Sequence, residues 1–154
     1  MHLNSGAFVQ CLGPDGNFKW SKSWGNGSYG ILISDVAEDK YGNLYFTGSY
    51  SGGGDFDPGV GVTILTSVMI DDCFILKLDS NGTFLWAISM GGAGVDQGVS
   101  ILVDENLNIY TSGLFSYTVD FDPSVGLNNL TSNGFTDAFI QKLDSSGNLV
   151  WVHS

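Results

Sequence analysis

The feature that most constrains this chain is a motif it spells three times: FVQCLGPDGNFKW from Phe8 to Trp20, FILKLDSNGTFLW from Phe74 to Trp86, and FIQKLDSSGNLVW from Phe139 to Trp151. In the middle copy Phe74, Leu76 and Leu78 alternate with Ile75, Lys77 and Asp79, Ser80-Asn81-Gly82 interrupts, and Phe84 and Trp86 resume the alternation. Period-two patterning broken by a tight turn predicts a β-hairpin, with the Asp79 carboxylate bonding back to the turn backbone and Gly82 taking a positive φ. Trp20, Trp86 and Trp151 stand 66 and 65 residues apart. A chain that repeats itself at such a spacing builds like units side by side.

The surrounding segments repeat as well. Ile33 to Glu38, the turn Asp39 to Asn43, and Leu44 to Tyr50 predict a second hairpin, matched by Ile101 to Val103, Asp104 to Asn108, and Ile109 to Phe115. In the later copy Leu107 replaces Gly42, which predicts a turn that is less tight or more strained. The glycine-rich link Gly25 to Gly30 has its counterpart in Gly91 to Gly98, and GDFDPGVGVTILTS from Gly54 returns as VDFDPSVGLNNLTS from Val119. Each whole repeat therefore holds four short strands.

Twenty-two glycines, three prolines and no sustained helical period predict an all-β chain. Four-stranded antiparallel units at a fixed period are the blades of a β-propeller, whose sheets pack face to face and bury both sides of their middle strands. Sandwiches do not need near-identical hairpins at a fixed period, and solenoid coils are usually shorter than this repeat. The predicted units are a partial blade over 1–24, containing the last two strands, and blades over 25–90 and 91–154. Two and a half blades make an incomplete ring. Either the chain is a piece of a longer reading frame, or several copies assemble; in the first case the terminal sheets, taken in isolation, expose apolar faces and unpaired edges, which favours association or aggregation.

Composition bounds the partners. Sixteen acids against five lysines give a formal charge of −11, and arginine is absent. Nucleic-acid grooves and anionic-membrane patches need clustered cations, so neither partner is expected, while basic proteins, sugars and metal cations stay open. The histidines, His2 and His153, sit at the two ends, which argues against a catalytic triad or a histidine-bound metal in the body of the chain. Cys11 and Cys73 occupy non-equivalent repeat positions with no zinc spacing, and read as two unpaired, buried thiols. No stretch approaches membrane-spanning length and no signal peptide is evident, so membrane insertion is not expected.

The run from Asp137 to Trp151, the glycine-rich link and the Asp-x-x-Gly-Asn-x-Tyr-x-x-Gly hairpin beginning at Asp39 together resemble the SBBP-type bacterial β-propeller repeat, over nearly the whole chain. It departs from that pattern at Gly6, where Asp137 stands later, and at Leu107. The resemblance implies a seven-bladed propeller context in a large secreted or cell-surface bacterial protein. The tryptophan hairpin alone also resembles the tryptophan-docking repeats of quinoprotein propellers.

Tracing the strands puts the glycine-rich links and the Asp-Phe-Asp-Pro loops on one rim, gathering Asp55, Asp57, Asp71, Asp72, Asp96, Asp120, Asp122 and Asp137. Two readings stay open there. Carboxylates two residues apart can both turn toward a hard cation, giving a calcium site from Asp55 with Asp57 and from Asp120 with Asp122. Alternatively these aspartates shape turns, with Phe56 and Phe121 tucked beneath as core. Trp20, Trp86 and Trp151 read as blade-to-blade packing, whereas Trp24, replaced by Met90 in the next copy, reads as an exposed or irregular contact. The functional expectation is a non-catalytic structural or binding module presenting an acidic rim to a protein or glycan; the alternative is a propeller enzyme acting as a glycan hydrolase or lyase, or a quinone-dependent oxidoreductase.

Overall fold

A computed structural model describes residues 6–24 and 30–154. His2 and most of the first glycine-rich link lie outside the described residues. Twelve strands and no helix occur among them. They are β1 (Ala7–Leu12), β2 (Phe18–Trp24), β3 (Ile31–Glu38), β4 (Leu44–Asp55), β5 (Ile64–Leu78), β6 (Phe84–Gly92), β7 (Gln97–Val103), β8 (Ile109–Phe115), β9 (Thr118–Asp120), β10 (Asn129–Thr131), β11 (Asp137–Leu143) and β12 (Leu149–His153).

Three antiparallel assemblies result: the hairpin β1–β2, the meander β3–β4–β5–β6, and the meander β7–β8–β11–β12. Among the described residues no ring closes, in agreement with an incomplete propeller. The short hairpin β9–β10 interrupts the last meander and pairs with the end of β6, through Gly91 with Asp120 and Gly92 with Val119. Backbone hydrogen bonds thus join consecutive units at this rim, a link that local patterning does not announce.

The hairpin turns use one chemistry. Asp39 Oδ1 accepts from the N–H groups of Tyr41 and Asn43 at 2.9 and 3.0 Å, and Asp79 Oδ1 from those of Asn81 and Thr83 at 2.8 Å. Asp104 and Asp144 repeat the arrangement. At Asp79 these backbone contacts, and at Asp144 the Asn148 side-chain amide together with them, favour the ionised form and hold both carboxyls below their usual range. The turn carrying Leu107 is as tight as its glycine counterpart: Leu107 N–H and Gly42 N–H both reach the aspartate carbonyl at 2.9 Å. Strain is the outcome, with Leu107 at φ 67° where Gly42 has φ 81°.

Burial explains why the repeat needs neighbours. Asp72 to Leu78 in β5 is buried residue after residue, both faces alike. One core joins the first hairpin to the middle meander through Ala7, Trp24, Phe46, Tyr50, Phe74 and Leu78. The other joins the two meanders through Tyr45, Ile75, Met90, Ile101, Phe139 and Leu143.

Trp24 corrects the sequence reading. It is 5% exposed, its ring lies 6.2 Å from that of Phe46, and its Nε1–H donates to the Phe56 carbonyl at 3.0 Å. Met90 fills the matching position in the next core, so the position is a core position in both units although the two side chains differ in size. Cys73 is buried, and desolvation pushes its thiol up to about 12. Cys11, expected to be buried, is only partly so; it aligns with Lys77, which is buried in the middle meander, and with the partly covered Lys142.

The recurring tryptophans face the next unit. A Cβ placed on Gly82 would stand 2.9 Å from the Trp20 indole, and Trp20 Nε1–H donates to Ser80 O at 3.2 Å. Trp86 repeats this against Gly147, 3.6 Å from a Cβ there. Trp20 and Trp86 thus each rest on the glycine turn of the following copy. Nearer the start of the meanders, Asp35 Oδ2 accepts from Ser100 Oγ and Ile101 N–H, both at 2.9 Å, tying β3 to β7.

Candidate functional site

The rim opposite the tight turns carries the features that could meet a ligand. Its Asp-Phe-Asp-Pro loops are built alike. Asp55 Oδ1 accepts from Asp57 N–H at 3.0 Å and from Thr63 N–H at 2.8 Å, and Asp57 Oδ1 accepts from Gly59 N–H at 2.7 Å. In the other loop Asp120 Oδ1 accepts from Asp122 N–H at 3.0 Å and Asn128 N–H at 2.9 Å, while Asp122 Oδ1 accepts from Ser124 N–H at 2.9 Å. Each first aspartate therefore spans the mouth of its loop.

Phe56 and Phe121, fully buried, anchor these loops from below. Phe56 meets Phe74 edge-on at 5.1 Å, and Phe121 lies 4.7 Å from Phe139. In each loop the structure brings together one pair of the sequence-predicted carboxylates, with one oxygen of each aspartate occupied by backbone N–H groups. Among the described residues no group of three or more His, Cys, Asp or Glu side chains is disposed to hold a metal ion.

The remaining rim aspartates divide by burial. Asp72 is 2% exposed and Asp96 1%. Asp96 Oδ2 accepts from Gly92 N–H at 2.8 Å and Oδ1 from Ser116 N–H at 3.0 Å, so this side chain fastens the second glycine-rich link to the corner after β8. Asp72 Oδ2 accepts from Val68 N–H at 3.2 Å, while Oδ1 has no hydrogen-bond partner among the described residues. The backbone at Gly91 closes over this carboxyl; a Cβ there would collide with it. Burial, aided by the charges of Asp96 and Asp71, pushes the Asp72 carboxyl up to about 6 despite the Val68 bond, and burial raises Asp96 as well. Asp72 thus combines a raised proton affinity with burial beneath the Gly91 backbone. Asp137, its counterpart, accepts from Asn133 N–H at 2.7 Å, which assigns the position to holding the preceding loop.

Sequence reasoning assembled the acids but missed the apolar tips among them. Val60, Val62 and Met69 in the first loop region, and Val125, Leu127 and Phe135 in the second, are all more than two-thirds exposed. The signal was present: both loops keep Val or Leu beyond the proline, where solvated turns favour polar residues. The rim is thus acidic, apolar at its outermost points, and locked by side chain to backbone bonds.

No protein-family model matches the chain. An uncharacterized WD repeat-containing protein of Acanthamoeba polyphaga mimivirus is 29% identical over 103 residues, covering 53% of this chain and 7% of that protein. The chain therefore spans a small part of the curated relative it matches. That likeness agrees with a repetitive β-structure, the architecture described above.

Proposed function

We propose that the chain is a non-catalytic binding module of the SBBP-type propeller repeat, from a secreted or cell-surface bacterial protein, divided into units over 1–24, 25–90 and 91–154. The observation that carries this reading is the contrast between the two ends of the sheets. Turn, tryptophan and core positions agree from copy to copy and are consumed in packing, whereas the opposite rim exposes valine, leucine and phenylalanine tips beside ionisable aspartates. Exposed apolar points on a strongly acidic surface fit a basic partner with apolar side chains, or the face of a sugar. The mimiviral relative's description as a WD repeat-containing protein agrees with a scaffold role.

A glycan array and a panel of basic peptides, run beside glycosidase and lyase assays, test the reading. Binding without turnover, lost in Val60→Asp or Val125→Asp, is expected; turnover of a glycoside would favour the enzymatic alternative. The calcium reading of Asp55, Asp57, Asp120 and Asp122 is tested by melting: a rise in Tm across millimolar calcium supports it, and an unchanged Tm removes it.

A further inference from the structure

Charge is unevenly divided between the two ends of the sheets. Half of the sixteen acids belong to the loop rim, and none of the five lysines does. Lys40 follows Asp39 in a tight turn, and Lys77 and Lys142 are the next-to-last residues of β5 and β11, where tight turns begin. Lys22 reaches the turn that contains Gly82, and Lys19 adjoins Trp20, which bonds to Ser80 in the same turn. The rim therefore carries acid with no cation of its own to neutralise it. Asp55, Asp57, Asp120 and Asp122 each give Oδ1 to loop N–H groups, and among the described residues their Oδ2 atoms accept no hydrogen bond.

Apolar tips stand beside these carboxylates, and an adjoining unit does not cover them. The middle meander has packed neighbours on both sides, yet its Val60 and Val62 are 107% and 73% exposed; one repeat later Val125 and Leu127 are 106% and 81% exposed. Pairing of β9 with β6 fixes the second loop against the preceding unit, so both loops are held before any partner arrives. We infer that the rim docks a cationic peptide segment in which lysine or arginine accompanies apolar side chains, the cations meeting the free aspartate oxygens and the apolar groups covering the valine and leucine tips. The rim offers no indole face to a sugar: Trp24 is buried, and Trp20 and Trp86 rest on the tight turns. The inference deepens the binding-module reading and rests on it.

Fluorescence anisotropy with labelled peptides, in chelator so that calcium does not compete, tests this. The probes are an alternating lysine-leucine peptide, a lysine-serine peptide of the same charge, and a glutamate-leucine peptide of the same apolar content. The first is expected to bind about tenfold tighter than either of the others, and less tightly as salt rises. Asp57→Asn combined with Asp122→Asn keeps the loop hydrogen bonds and weakens binding by about tenfold, as does Val125→Ser combined with Leu127→Ser, with near-ultraviolet dichroism native in both. Phe8→Ser, on the open first hairpin, and Glu105→Gln, at a tight turn, leave binding unchanged. The inference is overturned if lysine-leucine fails to bind at millimolar peptide, if either control peptide binds as well, if the rim substitutions have no effect, or if Phe8→Ser abolishes binding. An oligosaccharide bound in the peptide's place overturns it while the binding-module reading stands, and glycoside turnover overturns both.

Discussion

Leu107 occupies a left-handed backbone position that the equivalent turns give to Gly16, Gly42, Gly82 and Gly147. A side chain in that region costs about 1–2 kcal/mol, so Leu107→Gly is expected to stabilise the chain by about 1 kcal/mol, seen as a higher urea midpoint with an unchanged slope. A second residue-scale consequence concerns pH. The Asp72 carboxyl, at 3.8 ordinarily, is pushed up to about 6 in the fold. A raised folded value means the folded chain holds that proton more tightly, so the contribution is fully present below about pH 4 and is lost as pH rises through 6. Asp72→Asn keeps an acceptor for Val68 N–H without the charge. It is expected to melt higher than wild type at pH 7.5, by about 1–2 kcal/mol of stability, and to lose that advantage by pH 4. A difference independent of pH would contradict this account of Asp72.

At the scale of elements, the same side chain plays different parts according to whether another unit packs against it. Trp86 lies between the two meanders against Gly147, whereas the aromatic contacts of Trp151 among the described residues are to Tyr110 and His153 of its own sheet. Trp86→Ala is therefore expected to cost about 3 kcal/mol in chemical denaturation, and Trp151→Ala under about 1 kcal/mol at dilutions where the chain is monomeric. The hairpins, their turn aspartates and the strained Leu107 turn were legible in the sequence because alternation and turn chemistry are local. The burial of Trp24 was not, because its covering residues, Phe46 and Phe56, are more than twenty residues away. Neither was the pairing of β9 with β6, where register depends on a glycine-rich link that carries no alternation. The Asp-Phe-Asp-Pro loops were legible as a motif, but not the spanning of each loop by its first aspartate, which depends on where the returning strand comes back.

At the scale of the molecule, the recurring tryptophans announced repetition and packing, while which copy each one faces had to come from the structure. The stacking of the sheets depends on the tryptophan of one unit sitting on the glycine turn of the next. The most direct measurement is a double-mutant cycle between Trp20 and Gly82, by urea unfolding. Gly82→Ala alone carries the cost of a side chain at φ 75° plus a 2.9 Å approach to the indole, whereas Gly16→Ala, at φ 79° with no described neighbour, carries the backbone cost only. The account predicts that Trp20→Ala relieves the extra cost, giving a coupling of about 1 kcal/mol and bringing Gly82→Ala down to the cost of Gly16→Ala. Strict additivity of the two substitutions would contradict it.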